Sequence, residues 1–374
     1  MQTEEILERL IGFPSVVGQS NRTIADWICA YLDEIGAEVT RLTGPEGDRE
    51  NIFASIGPRD MPGIVLSGHM DVVPADEVEW QSNPFVLRRD GDNLVGRGSC
   101  DMKGFLACAL SAVPDFSACK LTRPIHLAFS YDEEAGCRGV PHMIARLPDL
   151  CAPPTGCIIG EPTGLQPVLA HKGKAAVKIA VRGQSGHSSR PDLGKNAIHA
   201  MAKIITKAVE QAQDLEHGAQ DCRFAPPFST LQAGVIRGGS AINIIPELCT
   251  AEIEVRAISG VNPESLLSPI RDEAETLRKA GFEIDWDIIS SYPALSGNEA
   301  AEIVKITTGL AGKSPAQAVS FGTEAGLFEQ AGMPAVICGP GDISRAHRPN
   351  EYITTGELAA CRDMIRGLIP HLCQ

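Results

Sequence analysis

Hydrophobic residues recur at helical spacing near the start of the chain. A first helix is predicted from Thr3 to Ile11 and a second from Asn21 to Ile35, where Gly36 follows the end. Short apolar runs predict strands at 51–56, 63–66, 125–130 and 157–159, and a further helical stretch is predicted at 104–112. Strands that alternate with helices predict an α/β fold with a mixed, mostly parallel sheet and flanking helices.

The pattern changes after His171. Residues 175–181 and 250–255 alternate between apolar and polar, as half-exposed strands do, and helices are predicted at 195–213 and 263–280. From Tyr292 the first pattern returns, with a helix predicted at 298–309, a strand at 335–338 and a last helix from Thr355. The sequence therefore predicts a discontinuous main domain, 1–172 and 290–374, with a smaller α+β domain at 173–289.

Composition and charge narrow the class of protein. A length of 374 residues favours two domains with a sizeable core. The net charge of -14 argues against nucleic acid and anionic membranes as partners, and it would tolerate a cationic substrate. We expect a cytoplasmic protein with reduced thiols, because no signal-peptide pattern or apolar run of ~18 residues is found and the 12 cysteines form no C-x-x-C pair.

Five short motifs carry candidate chemistry, and each lies near the end of a predicted strand, where open α/β sheets have their sites. In SGHMDVVP, His69 follows the strand 63–66, and the Asp71 carboxylate is placed to hold the second ring nitrogen of His69. In GRGSCDMKG, Asp101 precedes a helix. Its carboxylate is either a helix N-cap or a bridge between two cations ~3.5 to 4 Å apart.

The other three motifs add carboxylates and a second histidine. Glu133 and Glu134 follow the strand 125–130, and adjacent glutamates can divide two tasks, one binding metal and one accepting a proton from water. Glu161 and His347 each follow a further strand. Together these residues predict a site for two divalent metal ions. Nitrogen and oxygen ligands suit zinc, cobalt or manganese, and zinc is favoured on availability.

Taken in order, the motifs resemble those of the M20 metallopeptidase family over essentially the whole chain. The resemblance implies a zinc-peptidase-like catalytic domain in which Asp101 bridges both metals, Glu133 is the general base and Asp71 is the partner of His69. The implied metal ligands are His69 and Glu161 at one metal, Glu134 and His347 at the other, and Asp101 at both.

The resemblance also implies that the domain at 173–289 is a ferredoxin-like lid and the contact of a homodimer. His187, in GHSS, matches a histidine that reaches into the partner subunit's site and polarises the scissile carbonyl. Asn243 and Arg256 match positions that hold substrate carboxylate or backbone groups. Glu324 resembles a residue near the substrate amine in the family's deacetylase branch. The implied substrate is a small N-acyl amino acid.

Three alternatives stay open at the level of sequence. The protein is another deacylase or a dipeptidase of the same family, a non-catalytic metal- or peptide-binding protein on the same fold, or a structural protein that dimerises through the insert. Glu133 beside Glu134 argues against the second, and the five-motif cluster argues against the third. Cys100 and Cys137 adjoin site motifs, and buried packing is expected for both.

Overall fold

A computed structural model describes residues 1–76 and 78–373. The helices are α1 Thr3–Ile11, α2 Arg22–Glu34, α3 Lys103–Ser117, α4 Val140–Ile144, α5 Leu147–Leu150, α6 Ala197–Glu216, α7 Ser268–Lys279, α8 Glu302–Ala311, α9 Ala325–Gln330, α10 Thr355–Arg366 and α11 Ile369–Leu372. The strands are β1 Glu38–Thr43, β2 Glu50–Ile56, β3 Ile64–His69, β4 Arg88–Asp90, β5 Asn93–Val95, β6 Ile125–Ser130, β7 Gly156–Pro162, β8 Gly173–Arg182, β9 Gly186–His187, β10 Thr230–Gly238, β11 Ile244–Ile245, β12 Leu248–Ala257, β13 Glu283–Tyr292, β14 Ala335–Gly339 and β15 Tyr352–Thr354.

The chain divides into two compact units. The first comprises Met1–Ala170, Leu295–Ala318 and Thr323–Gln374, and the second comprises His171–Ala294 and Val319–Gly322. The boundaries predicted from the sequence, 172/173 and 289/290, lie two and five residues from the main boundaries of these units. The short segment Val319–Gly322 has no counterpart in the predicted boundaries.

The first unit contains a six-stranded sheet in the order β1-β2-β6-β3-β7-β14. Strands β6, β3, β7 and β14 are parallel, and β1 and β2 add an antiparallel edge. The parallel strands are buried along their length, which explains their continuous apolar sequences. Helix α3 packs against α1 and α10. The predicted mixed, mostly parallel α/β fold is confirmed.

Strand β3 and helix α8 have bounds that differ from those predicted. Strand β3 ends at His69 rather than at residue 66, so the histidine is the last residue of the strand. The helix predicted from residue 298 begins at Glu302, because the Asn298 side chain accepts from the Ala300 N–H at 3.0 Å and holds a turn before the helix.

The second unit contains an antiparallel four-stranded sheet in the order β10-β12-β8-β13. Alternate residues of β12 are buried, and they pack with helices α6 and α7 in one apolar core. Strand β13 was not predicted, although Ile284, Trp286 and Ile288 alternate with polar residues. The predicted helix 263–280 is a 3₁₀ turn, Pro263–Leu267, followed by α7. Across residues 1–76 and 78–373, no helix has both the length and the apolar character needed to cross a bilayer.

Candidate metal centre

The predicted ligands converge because parallel strands end at one edge of the sheet. His69 ends β3 and pairs with Ser130 at the end of β6, after which the chain continues to Glu133 and Glu134. Glu161 lies near the end of β7, the neighbour of β3 on its other side. The site therefore follows from strand order rather than from nearness in sequence.

Asp101 is the centre of the cluster. Its Oδ1 lies 3.1 Å from His69 Nε2, and its Oδ2 lies 3.3 Å from His347 Nε2. The same His347 atom lies 2.9 Å from Glu134 Oε1, and His69 Nε2 lies 3.9 Å from Glu161 Oε1. Ligands about 2 Å from a tetrahedral metal lie about 3 to 3.5 Å from each other, which most of these spacings match. One carboxylate thus offers one oxygen to each histidine, as a bridge between two cations requires.

Glu133 also lies among the potential ligand atoms. The structure brings together two sets of three potential ligand atoms, and the atoms of each set lie within 4.8 Å of one another. One set comes from His69, Glu133 and Glu161, and the other comes from His69, Asp101 and Glu134. The Glu133 Oε1 atom also accepts from the Cys137 thiol at 3.3 Å. A carboxylate in this position can either bind a cation or accept a proton from water beside it.

Asp71 does contact His69, but through its backbone carbonyl and not through its carboxylate as predicted. The His69 Nδ1–H donates to the Asp71 backbone carbonyl at 2.9 Å, whereas the Asp71 carboxylate lies 3.7 Å from that nitrogen. The carboxylate instead accepts from the Glu133 and Glu134 N–H groups, each at 3.1 Å. Asp71 therefore fixes the His69 tautomer through its main chain and holds both glutamates through its side chain.

Burial disfavours the charged form of the acidic residues in the centre. It raises the pKa of Glu133 and Glu161 well above the usual range, and that of Glu134 to about 7. Burial also raises the pKa of Asp101, but hydrogen bonds from His347 and His69 outweigh it and hold the pKa below its usual range. Carboxylates crowded in this way need positive charge among them, which divalent cations supply.

The neighbouring carboxylates raise the pKa of both histidines. Burial lowers the pKa of His69, but the hydrogen bond to Asp101 and the charge of Asp71 hold it well above the usual range. Hydrogen bonds to Asp101 and Glu134 raise the pKa of His347 to about 10. Positive charge is therefore favoured at the positions where each Nε2 atom faces the carboxylates. The donor set fits two divalent ions.

Glu324 lies in the same unit, on the turn before α9. It is 1% exposed, and its two carboxylate oxygens accept from the Ser130 hydroxyl and from the Ser67 hydroxyl, the latter at 3.1 Å. Burial raises its pKa to about 7. Its contact with a substrate amine stays a prediction. Its serine partners place the carboxylate against strands β3 and β6.

His187 and Asn243 are neighbours in the second unit. Strand β9 pairs with β11, and the Ser188 N–H donates to the Asn243 carbonyl at 3.0 Å. The Ser189 N–H donates to His187 Nδ1 at 3.2 Å, so a neutral His187 ring carries its proton on Nε2. Both His187 and Asn243 are exposed.

Arg256 is already paired within the second unit. Its Nε donates to Glu254 Oε1 at 2.8 Å, and its Nη1 donates to the Tyr292 hydroxyl at 3.3 Å. Glu254 and Arg256 share one face of β12 because they are two residues apart. A substrate carboxylate at Arg256 would compete with Glu254 for the guanidinium.

Comparison with known proteins identifies the family. The model of peptidase family M20/M25/M40 matches residues 65–371. The chain belongs to this family. An acetylornithine deacetylase from Photorhabdus laumondii is 34% identical over 379 residues, which cover 99% of this chain and 97% of the relative. An acetylornithine deacetylase from Edwardsiella ictaluri is 32% identical, with 98% of this chain and 96% of the relative covered.

Solved M20 structures have the same fold. A metallo-carboxypeptidase of the family from Sulfolobus solfataricus superposes with a TM-score of 0.81 at 19% identity, covering 99% of this chain and 98% of the other. A dinuclear metal-binding M20 peptidase from Bacillus subtilis gives a TM-score of 0.67 at 16% identity, covering 99% and 97%. The predicted M20 resemblance is confirmed. The chain is an M20 hydrolase, and its cluster supports two divalent metal ions.

The sequence indicated no role for several residues that the structure joins to the centre. Cys100 and Cys137 are buried, as expected, but the Cys137 thiol also contacts Glu133. Glu351 lies in the His347 motif and binds the Asp101 loop through its side chain. The one sequence feature that could have pointed to Glu351 is its position four residues after His347, within the same motif.

Proposed function

We propose that the protein hydrolyses N2-acetyl-L-ornithine to L-ornithine and acetate. The observation that carries the hydrolytic chemistry is Asp101, whose two oxygens face two histidines beside Glu133. The choice of substrate is supported by relatives named acetylornithine deacetylase that match 98–99% of the chain. The net charge of -14 is compatible with a substrate that carries a cationic side chain.

The residues of the centre divide the work. Two bound divalent cations would supply Lewis acidity toward the scissile carbonyl and would lower the pKa of the attacking water. His69 and Glu161 would hold one ion, Glu134 and His347 the other, and Asp101 both.

The proton steps are assigned to Glu133. Its carboxylate would take a proton from the attacking water and deliver it to the leaving amine as the carbon–nitrogen bond breaks. Asp71 would keep it in place through the Glu133 N–H, and the Cys137 thiol through Oε1. His187 of the partner subunit would polarise the scissile carbonyl, its Nε2–H donating a hydrogen bond to the developing oxyanion.

The remaining proposals concern the setting of the reaction. The first unit would carry catalysis, and the second would act as a lid and as the contact of a homodimer. Asn243 and Arg256 would hold the substrate's carboxylate or backbone, with Arg256 released from Glu254. We further propose zinc as the ion in the cell, with cobalt or manganese as substitutes, a cytoplasmic location and a place in arginine biosynthesis.

Ornithine release tests the proposal. Metal-reconstituted protein is incubated with N2-acetyl-L-ornithine, and ornithine is quantified by chromatography. N-succinyl-diaminopimelate, N-acetylcitrulline and a dipeptide are assayed in parallel, with metal-loaded Glu133→Gln protein as the control. The proposal predicts the highest kcat/KM for N2-acetyl-L-ornithine. A higher value for any other substrate would replace it with another M20 deacylase or a dipeptidase.

A further inference from the structure

Glu351 is placed beside the Asp101 loop by a small sheet. Strands β15, β5 and β4 pair antiparallel, and Tyr352 lies opposite Val95. The Gly96 N–H donates to the Glu351 carbonyl at 2.9 Å and continues this pairing. The Glu351 side chain therefore enters the loop that connects β5 to α3. This loop carries Asp101.

The Glu351 carboxylate is fully used by that loop. Its Oε1 accepts from the Cys100 and Asp101 N–H groups at 2.9 and 3.0 Å. Its Oε2 accepts from the Gly98 N–H at 3.1 Å and from Arg97 Nη1 at 2.9 Å. A carboxylate has about four lone-pair sites, and here all four are paired. Glu351 is 1% exposed, so water does not compete for them.

Arg97 connects the same loop to two others. Its Nη2 donates to the Pro74 carbonyl at 3.1 Å, in the segment that follows His69. Its Nη1 also donates to the Arg348 carbonyl at 3.3 Å, next to His347. The guanidinium is 1% exposed and lies 5.2 Å from the centroid of the Trp80 ring. One planar fork thus touches the segments that carry His69, Asp101 and His347.

We propose that Arg97 and Glu351 are positioning residues that set the spacing of the metal ligands. The inference rests on the proposed two-metal site. Three of the proposed ligands, His69, Asp101 and His347, come from segments far apart in the chain. The spacing of these three side chains decides whether two ions fit. The pair ties these segments together through seven hydrogen bonds, counting the Gly96 N–H. Neither Arg97 nor Glu351 is a proposed metal ligand or a proposed substrate contact.

Two substitutions distinguish a role in positioning the metal ligands from a general role in stabilising the fold. Glu351→Gln keeps the shape, but its amide nitrogen cannot accept, so up to two of the four side-chain bonds are lost. Arg97→Lys keeps the charge, but a single ammonium group lacks the planar fork that reaches Glu351 and both carbonyls.

Glu329→Gln is the matched control. The Glu329 carboxylate also holds a loop, accepting from the Ser296 N–H at 2.7 Å and from the Gly297 N–H at 3.1 Å. No residue of that loop belongs to a metal motif.

Cobalt titration measures the effect without relying on turnover. Metal-free wild type, Glu351→Gln, Arg97→Lys and Glu329→Gln are titrated with Co²⁺, and the visible d–d absorption reports both occupancy and ligand geometry. Wild type is expected to bind two Co²⁺ per chain, and Glu329→Gln is expected to bind them with the same affinity as wild type. Loss of an outer partner of metal ligands weakens metal binding about 10- to 100-fold, and we expect this loss, with an altered spectrum, in both site variants.

Each outcome decides the inference. If folded Glu351→Gln and Arg97→Lys bind Co²⁺ with wild-type affinity and spectrum, the pair does not position the ligands. If Glu351→Gln does not fold, Arg97→Lys decides alone. If neither folds, or if Glu329→Gln weakens metal binding equally, the pair is a determinant of the fold and the inference is wrong. If wild type itself does not bind two ions, the proposed function fails instead.

Discussion

Replacing Glu324 by glutamine tests the electrostatics of the buried sheet edge. The carboxylate is buried between the hydroxyls of Ser130 and Ser67. Glutamine has the same shape, and a hydroxyl can donate to its oxygen or accept from its nitrogen. The substitution therefore removes the ionisable group while every hydrogen bond can be kept. The change in stability then reports the cost of the charge.

The magnitude follows from the pKa. Burial raises the pKa of Glu324 from its ordinary 4.5 to about 7. The native state therefore binds more protons than the unfolded chain between these values, and the free energy of unfolding falls as the pH rises through them. The difference of about 2.5 between these pKa values corresponds to roughly 3 kcal/mol in free energy of unfolding. This penalty is absent well below pH 4.5 and complete above pH 7.

Urea unfolding of the metal-free protein at pH 5 and pH 8 measures the effect. Relative to wild type, Glu324→Gln is expected to gain about 2.5 kcal/mol in free energy of unfolding between the two pH values. Glu8→Gln, on the exposed face of α1, is the control and should show no such gain. A difference between Glu324→Gln and wild type that does not change with pH would refute the reasoning.

Four further outcomes are expected from the centre and its surroundings. Glu133→Gln should lower kcat about 10²- to 10⁴-fold while two metal ions stay bound, measured by kinetics and metal analysis. Asp71→Asn should lower kcat and cost about 1–3 kcal/mol of stability, because one N–H of Glu133 or Glu134 loses its acceptor. His187→Ala should lose activity and regain part of it when mixed with Glu133→Gln, if partner subunits share sites. Chelation should abolish turnover, and added Zn²⁺ or Co²⁺ should restore it.

Each of these has a contrary result. Near-normal turnover by metal-loaded Glu133→Gln would remove that residue as general base. Wild-type stability and kcat in Asp71→Asn would mean that its two N–H contacts are unimportant. Verified heterodimers of the His187 and Glu133 variants without activity would argue against shared sites, and full activity after chelation would exclude metal dependence.

The parallel core of the first unit was predictable because burial on both faces imposes continuous apolar runs. Strand β6 has the predicted bounds, and the strands that carry His69 and Glu161 were placed within a few residues. The edge strand β1 was missed because Glu38–Thr43 mixes polar and apolar residues, and its pairing with β2 is a tertiary contact. Local pattern contains no information on such partners.

The convergence of the predicted ligands was predictable, because the carboxyl ends of parallel strands lie at the same edge of the sheet. The atoms that meet were not predictable, because hydrogen bonds depend on geometry that residue spacing does not contain. Asp71 illustrates this, since its carboxylate binds the Glu133 and Glu134 N–H groups and its carbonyl binds His69. Glu351 illustrates it further, because its partners lie about 250 residues earlier in the chain.

Anomalous scattering from crystals of the zinc-loaded protein tests the two-metal centre most directly. Two peaks per chain are expected at the zinc edge, about 3.5 to 4 Å apart, on either side of the Asp101 carboxylate. One peak should be bound by His69 and Glu161, and the other by Glu134 and His347. A single peak, or peaks that Asp101 does not bridge, would contradict the account.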